Sequence, residues 1–305
     1  KEVHPIVNKV LAYRTLTKLY STYIVGLQEQ VFIDQKIHTI YNQALTQTGR
    51  LSSTDPNLQN IPVKNEEGKM IRRAFVPEYD YLLSFDYSQI ELRVLAHLAG
   101  VKSLIQAFNE DKDTASVVFG VSEEDVTSKM RRDAKAVNFG IIYGMSDFGL
   151  AEQIGVSVKE AKAFIEKYFH TYPEIKEYMD HNIELAKENG YVSTILNRKR
   201  YIPEIKEKNR IRQEFGKRLA MNSPIQGSAA DIIKLAMIKV DQELKRRKMK
   251  SKMILQVHDE LIFDVYKEEL EDMIDIVKRG MEHAFAMSVE LKAEGNYASN
   301  WQDLK

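Results

Sequence analysis

Cysteine is absent from the 305 residues. Its absence excludes a disulfide framework, cysteine-ligated zinc, an iron–sulfur cluster and a thiol nucleophile, so any metal must rest on oxygen or imidazole donors. Breakers are scarce too: 14 Gly and 7 Pro, with Leu, Lys, Glu and Ala abundant, favour a helix-rich fold with a limited amount of sheet. No apolar run approaches the ~18 residues that a membrane-spanning helix needs, and the N-terminus lacks the order of a signal peptide, so no membrane association is expected. Internal repeats, low-complexity tracts and Gly/Ser linkers are also missing. A chain above the usual single-core limit of ~250–300 residues should therefore be built of interleaved subdomains.

Net charge is zero, 44 basic against 44 acidic residues, yet the charges are segregated. Residues 196–218 carry nine basic side chains against three acids, and residues 245–252 carry six with no acid between them. Residues 258–305 reverse the sign with twelve acids against five bases. A single run of this kind is ordinarily a solvated helix face; two on a neutral protein also permit a local phosphate-binding surface.

Apolar spacing predicts a helix over residues 4–23, with Pro5 in its first turn, and further helices over 89–98, 123–139, 158–169, 173–188 and, after Pro224, 222–248. The polar stretch TGRLSSTDPNLQNIP, residues 48–62, reads as an irregular loop. Residues 81–85 read as a short buried strand ending in Asp86. The runs MILQV and LIFDV flank His258, Asp259 and Glu260, which predicts a hairpin with an acidic turn.

Exposed turn acids are common, but carboxylates at the junction of buried strands cost several kcal/mol of desolvation unless a cation meets them. If the strands ending in Asp86 and Asp259 lie side by side, they could hold hard divalent ions. Mg²⁺ binds through one or two carboxylates plus substrate phosphates, and a pair of such ions serves in-line phosphoryl displacement. The segment MRRDAKAVNFGIIYG, if helical, sets Arg131, Lys135, Phe139 and Tyr143 at steps of four along one side. Cations followed by aromatics suit a polyphosphate tail and a stacked base; the stripe also permits an amphipathic core face, at the cost of burying Arg131 and Lys135.

Five ordered segments then resemble the polymerase module of family A DNA polymerases, the DNA polymerase I type: DYSQIELR (86–93, motif A), RRDAKAVNFGIIYG (131–144, motif B), QVHDEL (256–261, motif C), TGRLSSTDPNLQNIP (48–62) and MNSPIQGSAAD (221–231). The resemblance spans nearly the whole chain. It implies an α+β, right-hand polymerase fold with an antiparallel palm sheet, helical fingers and a thumb remnant, divided as thumb remnant 1–27, palm 28–100, fingers 101–221 and palm 222–305. It further implies template-directed addition of deoxynucleotides to a primer 3′-hydroxyl with two Mg²⁺ ions, Mn²⁺ as a substitute. The partners would be primer–template DNA and deoxynucleoside triphosphates. The protein would be a monomer in a bacterial-like cytoplasm, associated with the nucleoid.

Carried over residue by residue, Asp86 and Asp259 would bridge the metals, the Tyr87 carbonyl would be a further ligand and Glu260 would support them. Arg131 and Lys135 would meet the triphosphate, Lys135 with a catalytic share. Phe139 would pack on the incoming nucleotide, Tyr143 would stand at the templating position, Glu91 would exclude a 2′-hydroxyl while pairing with Tyr143, and Gln89 would join the nucleotide site. Arg50, Asn222, Gln226 and His258 match positions that touch DNA near the primer terminus or on the template strand, where minor-groove acceptors report pair geometry without sequence. Lys18, Arg198 and Arg200 are further candidates for phosphate contact.

Two departures accompany the match. The chain begins inside what would be the thumb, with no exonuclease segment, which implies weak processivity. In EDKDTASVVFGV, residues 110–121, Asp113 runs directly into Thr114 where the family reads Asp-Ile-His-x-x-Thr-Ala, so a phosphate-contacting His is lacking. Loss of one charged hydrogen bond, about 1.5–3 kcal/mol, implies weaker nucleotide binding. Alternative functions are a catalytically impaired primer–template binding module and a single-subunit RNA polymerase or reverse transcriptase. Glu91 and its context argue against the last two.

Overall fold

The computed structural model describes residues 4–62, 66–112, 115–116 and 121–304, with the side chains of Glu123, Arg132, Lys135 and Phe139 outside the description. Its centre is an antiparallel four-stranded sheet in the order β6-β7-β3-β8, formed by β3 (Tyr81–Tyr87), β6 (Lys252–Val257), β7 (Glu260–Val265) and β8 (Ala293–Ala298). Strands β3 and β7 are apolar at nearly every position because both of their faces are covered. Leu83, Phe85 and Tyr87 with Leu261, Phe263 and Val265 join the larger core on one face. Leu82 and Ile262 alternate to the other face, where Leu58, Ile61 and Trp301 form a second, smaller core. This alternation is the two-residue period of the pleat acting on a doubly buried sheet.

Helices α3 (Ile90–Ala99), α9 (Arg210–Arg247) and α10 (Leu270–Glu282) cover the larger-core face. Helix α4 (Lys102–Asn109) follows α3, and α5 (Ser128–Ile142), α6 (Asp147–Ile154), α7 (Val158–Thr171) and α8 (Pro173–Asn189) complete a helical layer. Two small hairpins lie outside the sheet: β1 (Ile40–Asn42) with β2 (Ser52–Thr54), and β4 (Tyr191–Ser193) with β5 (Lys199–Tyr201). Helix α2 (Glu66–Arg72) lies between the first hairpin and β3.

Three expected elements take a different form. Helix α1 (Pro5–Leu19) has Pro5 at its first position and the His4 imidazole accepting the Ile6 N–H at 3.2 Å, but over Tyr20–Val25 it continues as π-helix. The 48–62 segment is not wholly irregular: it contributes β2 and a 3₁₀ turn at Leu58–Asn60. The helix expected after Pro224 begins at Arg210 instead and runs 38 residues through that proline. Asn209 caps it, its side-chain Oδ1 accepting the N–H groups of Ile211 and Arg212 at 2.9 and 3.3 Å. An interior proline costs about 3 kcal/mol, which burial of Ala220, Ile225, Ile232, Ala236 and Val240 along the same helix outweighs. Among the described residues no helix is long and apolar enough to cross a membrane.

Candidate active site

A two-residue turn, His258-Asp259, joins β6 to β7, and His258 adopts φ 55°, a left-handed conformation suited to so tight a reversal. Glu260 is therefore not a turn residue: it is the first residue of β7 and is 1% exposed. The Tyr87 N–H donates to the Asp259 carbonyl at 3.1 Å, and Asp86 pairs directly across the ladder with Glu260. Strand pairing thus brings the acidic ends of two distant segments to one edge.

The electrostatics there are unfavourable to a protein on its own. Burial pushes the Asp259 carboxyl up to about 6; Arg50 opposes the rise, while Glu91 and Asp86 add to it. A carboxylate disfavoured by burial and by like charge is a cation-seeking group. Among the described residues no group of three or more His, Cys, Asp or Glu forms a closed metal cage. Two adjoining aspartates nevertheless fit Mg²⁺, which keeps several waters and takes the remainder of its ligands from substrate phosphates.

Glu91 sits in the first turn of α3, 5% exposed. Its Oε2 accepts the Tyr143 hydroxyl at 3.1 Å and its Oε1 accepts the Arg50 guanidinium. Burial, reinforced by Glu91, pushes the Tyr143 phenol up to about 12. Tyr143 follows the last turn of α5, just before Gly144 at φ 60°, where a β-carbon would stand 2.7 Å from Met221 and 3.0 Å from Arg218. Only glycine combines that backbone conformation with that approach. Gln89 caps α3 in a left-handed conformation, φ 53°, with its side chain exposed.

The remaining candidates are spread around this centre. Lys18 and His258 line one cleft of about 910 Å³, together with Tyr23, Asn57 and Gln59. Asn222 and Gln226, half-buried, follow one another by one turn on α9. Arg198 is tied to a buried acid, its Nε 3.0 Å from Asp231 Oδ1, while the Thr194 hydroxyl donates to Asp231 Oδ2 at 2.5 Å. Arg200 is half-buried on the β4–β5 hairpin, where burial lowers its guanidinium pKa. Arg131 is exposed on α5. Lys135 and Phe139 belong to the same helix, but their side chains lie outside the described residues. So do residues 113–114 and 117–120 of the shortened segment.

Two features were not read from the sequence. Gln59 donates to the Gln256 carbonyl and side-chain oxygen at 3.1 and 2.9 Å, and Gln256 in turn donates to the His258 carbonyl, bracing the turn from beneath. Arg72, 6% exposed, stacks 4.3 Å from the centre of the Trp301 ring and donates to the Ile61 carbonyl at 3.3 Å. The glutamines gave a faint signal, since both fall within segments already singled out; an arginine in IRRAF gave none.

Comparison with known proteins follows the same lines. The family described as DNA polymerase family A matches residues 1–303. Among curated relatives, DNA polymerase I of Bacillus caldotenax is 54% identical over 310 residues, and that of Bacillus subtilis strain 168 is 53% identical over 309 residues. Each alignment covers 99% of this chain and 35% of the relative, so the chain spans about a third of their length. A solved structure described as the POL domain of Pol1 from M. smegmatis in complex with DNA primer-template and dNTP superposes with a TM-score of 0.93 at 44% identity. The match covers 99% of this chain and 54% of that one.

Proposed function

Since the chain belongs to DNA polymerase family A, we propose that it extends a DNA primer on a template, joining a deoxynucleotide to the primer 3′-oxygen and releasing pyrophosphate. The observation that carries this reading is the approach of Asp86, at the end of the β3–β7 ladder, to Asp259 in the turn before β7, whose carbonyl accepts the Tyr87 N–H and whose carboxyl is raised to about 6. The sheet would be the palm, shared by residues 28–100 and 222–305; residues 101–221 would be the fingers, and 1–27 a remnant of the thumb.

In this reading Asp86 and Asp259 hold the divalent ions, with the Tyr87 carbonyl as an added ligand. Bound there, Mg²⁺ supplies charge stabilisation to the attacking and leaving oxygens of an in-line displacement. Arg131 and Lys135, one turn apart on α5, receive the triphosphate, and their positive charge favours the bond-breaking that puts negative charge on the leaving pyrophosphate. Phe139 packs against the nucleotide and Tyr143 marks the template position. Glu91, fixed between Arg50 and Tyr143, occupies the space that a ribose 2′-hydroxyl would need. Lys18, His258, Asn222, Gln226, Arg198 and Arg200 would contact DNA, phosphate contacts making binding steeply salt-dependent. Arg50 would turn to the DNA as well, and the Tyr143 bond would still hold Glu91 as the gate.

Primer extension with Mg²⁺ and the four deoxynucleotides tests the proposal. The parent should extend a primed template, and Asp86→Ala or Asp259→Ala should abolish extension while leaving DNA binding intact. A parent that binds primed DNA yet adds no nucleotide would overturn the polymerase reading in favour of a binding module.

A further inference from the structure

Arg93, at the end of the first turn of α3, is 4% exposed and takes no part in the site described above. Among the described residues its hydrogen bonds run to backbone carbonyls and not to a carboxylate. Nε donates to the Ser88 carbonyl at 2.9 Å and Nη1 to the Glu290 carbonyl at 2.7 Å. The guanidinium also lies 4.5 Å from the centre of the Phe108 ring on α4. One planar group therefore joins the turn after β3, the chain leading into β8, and α4.

That turn directly follows Asp86 and Tyr87. Gln89 holds φ 53° in it, a left-handed conformation that a residue with a β-carbon keeps only where its surroundings impose it. The Ser88 N–H donates to the Lys292 carbonyl at 2.9 Å, and the Gln89 carbonyl accepts the N–H groups of Leu92 and Arg93, both at 3.0 Å. Residues 288–292 are themselves fastened. The Asn109 side chain donates to the Ser288 carbonyl at 3.1 Å and accepts the Glu290 N–H at 2.9 Å, while Val289 and Leu291 are buried in the larger core. They form a fixed abutment, and Arg93 spans from it to Ser88.

A guanidinium at this depth is costly unless its N–H groups are satisfied, which carbonyl dipoles and an aromatic face do here. An arginine suits the place better than a lysine, because two N–H groups of one rigid plane reach two carbonyls in fixed directions. We propose that Arg93 is a positioning residue that fixes the Ser88 carbonyl against residues 288–292 and so sets where the Asp86 carboxylate and the Tyr87 carbonyl stand at the end of β3. This inference rests on the polymerase reading for its kinetic consequences, whereas the hold on the turn follows from the hydrogen bonds.

The test compares Arg93→Met, Arg93→Lys and Asn109→Ala in the complete protein. Without metal, Arg93→Met should speed amide hydrogen exchange over residues 86–93 by at least about 10-fold and leave residues 228–240 of α9 as in the parent. In primer extension it should lower kcat by roughly 10–100-fold with KM for nucleotide and primer–template within about 2-fold, and raise the Mg²⁺ concentration for half-maximal rate by about 3–10-fold. Arg93→Lys, which keeps the charge and one of the two carbonyl bonds, should show the same changes at smaller size, and it carries the test if Arg93→Met does not fold. Asn109→Ala frees residues 288–292 from α4 but not from Arg93. It should lower the unfolding midpoint while kcat and the Mg²⁺ response stay within about 2-fold of the parent. Parent-like exchange over residues 86–93 in the folded Arg93 variants, or a Mg²⁺ shift in Asn109→Ala as large as theirs, would overturn the proposal. A parent without extension activity would defeat the polymerase reading, and the exchange comparison would still decide whether Arg93 holds the turn.

Discussion

Strand β7 has an acid near each end, Asp264 within it and Asp259 in the turn that leads into it, under opposite conditions. At the far end Asp264, 6% exposed, accepts the backbone N–H groups of Glu78 and Tyr79 at 2.8 and 3.0 Å. Its charge is spent on closing the loop that leads into β3. At the near end Asp259 has Asp86 and Glu91 as charged neighbours and Arg50 as the opposing one, and its carboxyl is raised to about 6. One hairpin thus contains an acid whose surroundings satisfy it and an acid whose surroundings disfavour its charge. The first is a structural element, and the second is what the proposed metal site would need, a carboxylate whose charge an incoming cation would relieve.

Substitutions can break that contrast. The largest effect belongs to the near end: Asp259→Asn should lower primer extension by at least about 1000-fold, because the amide cannot hold a divalent ion. Single-turnover extension at saturating Mg²⁺ measures it. At the far end Asp264→Ala should leave two backbone donors without their acceptor and cost about 2–4 kcal/mol of stability. Denaturant midpoints measure that cost, and activity per folded molecule should be unchanged.

Glu91 is the intermediate case, buried and satisfied yet inside the site. Glu91→Ala should raise ribonucleotide incorporation relative to deoxynucleotide by roughly 10–100-fold, about 1.4–2.8 kcal/mol of discrimination. Competition between the two nucleotides on one template measures it, and an unchanged ratio would place the gate elsewhere.

The smallest effect is also the most diagnostic. A carboxyl raised above its unfolded value contributes stability that is fully present below the unfolded pKa and is lost as pH rises through the folded one. For Asp259 that window runs from about 3.8 to about 6. Two units correspond to roughly 3 kcal/mol, which solvent screening of a half-buried group reduces to about 1 kcal/mol. Metal-free Asp259→Asn should therefore be more stable than the parent by about 1 kcal/mol at pH 7.5 and lose that advantage near pH 4. Equal stability at both values would remove the contrast between Asp259 and Asp264.

Much of this arrangement was legible in the chain. The runs YLLSFD and MILQV–LIFDV announced strands ending in acids because apolar density and turn residues are local properties. The helix that carries Arg131 was equally visible in its spacing. Helix α9 was misread because Pro224 is a breaker by local propensity, whereas packing along its buried face decides in its favour. The 48–62 segment looked irregular because β2 is three residues long and is stabilised only by pairing with β1.

The sequence by itself determined the acidic strand ends, the helix that carries Arg131 and the absence of any cysteine chemistry. These follow from residue type and short-range periodicity. Tertiary structure alone decided that Asp86 faces Glu260 across the ladder, that Glu91 is shared by Arg50 and Tyr143, and that Arg72 stacks on Trp301. Those contacts join residues tens to hundreds of positions apart, and burial sets their energies through the local dielectric, which no stretch of sequence carries on its own.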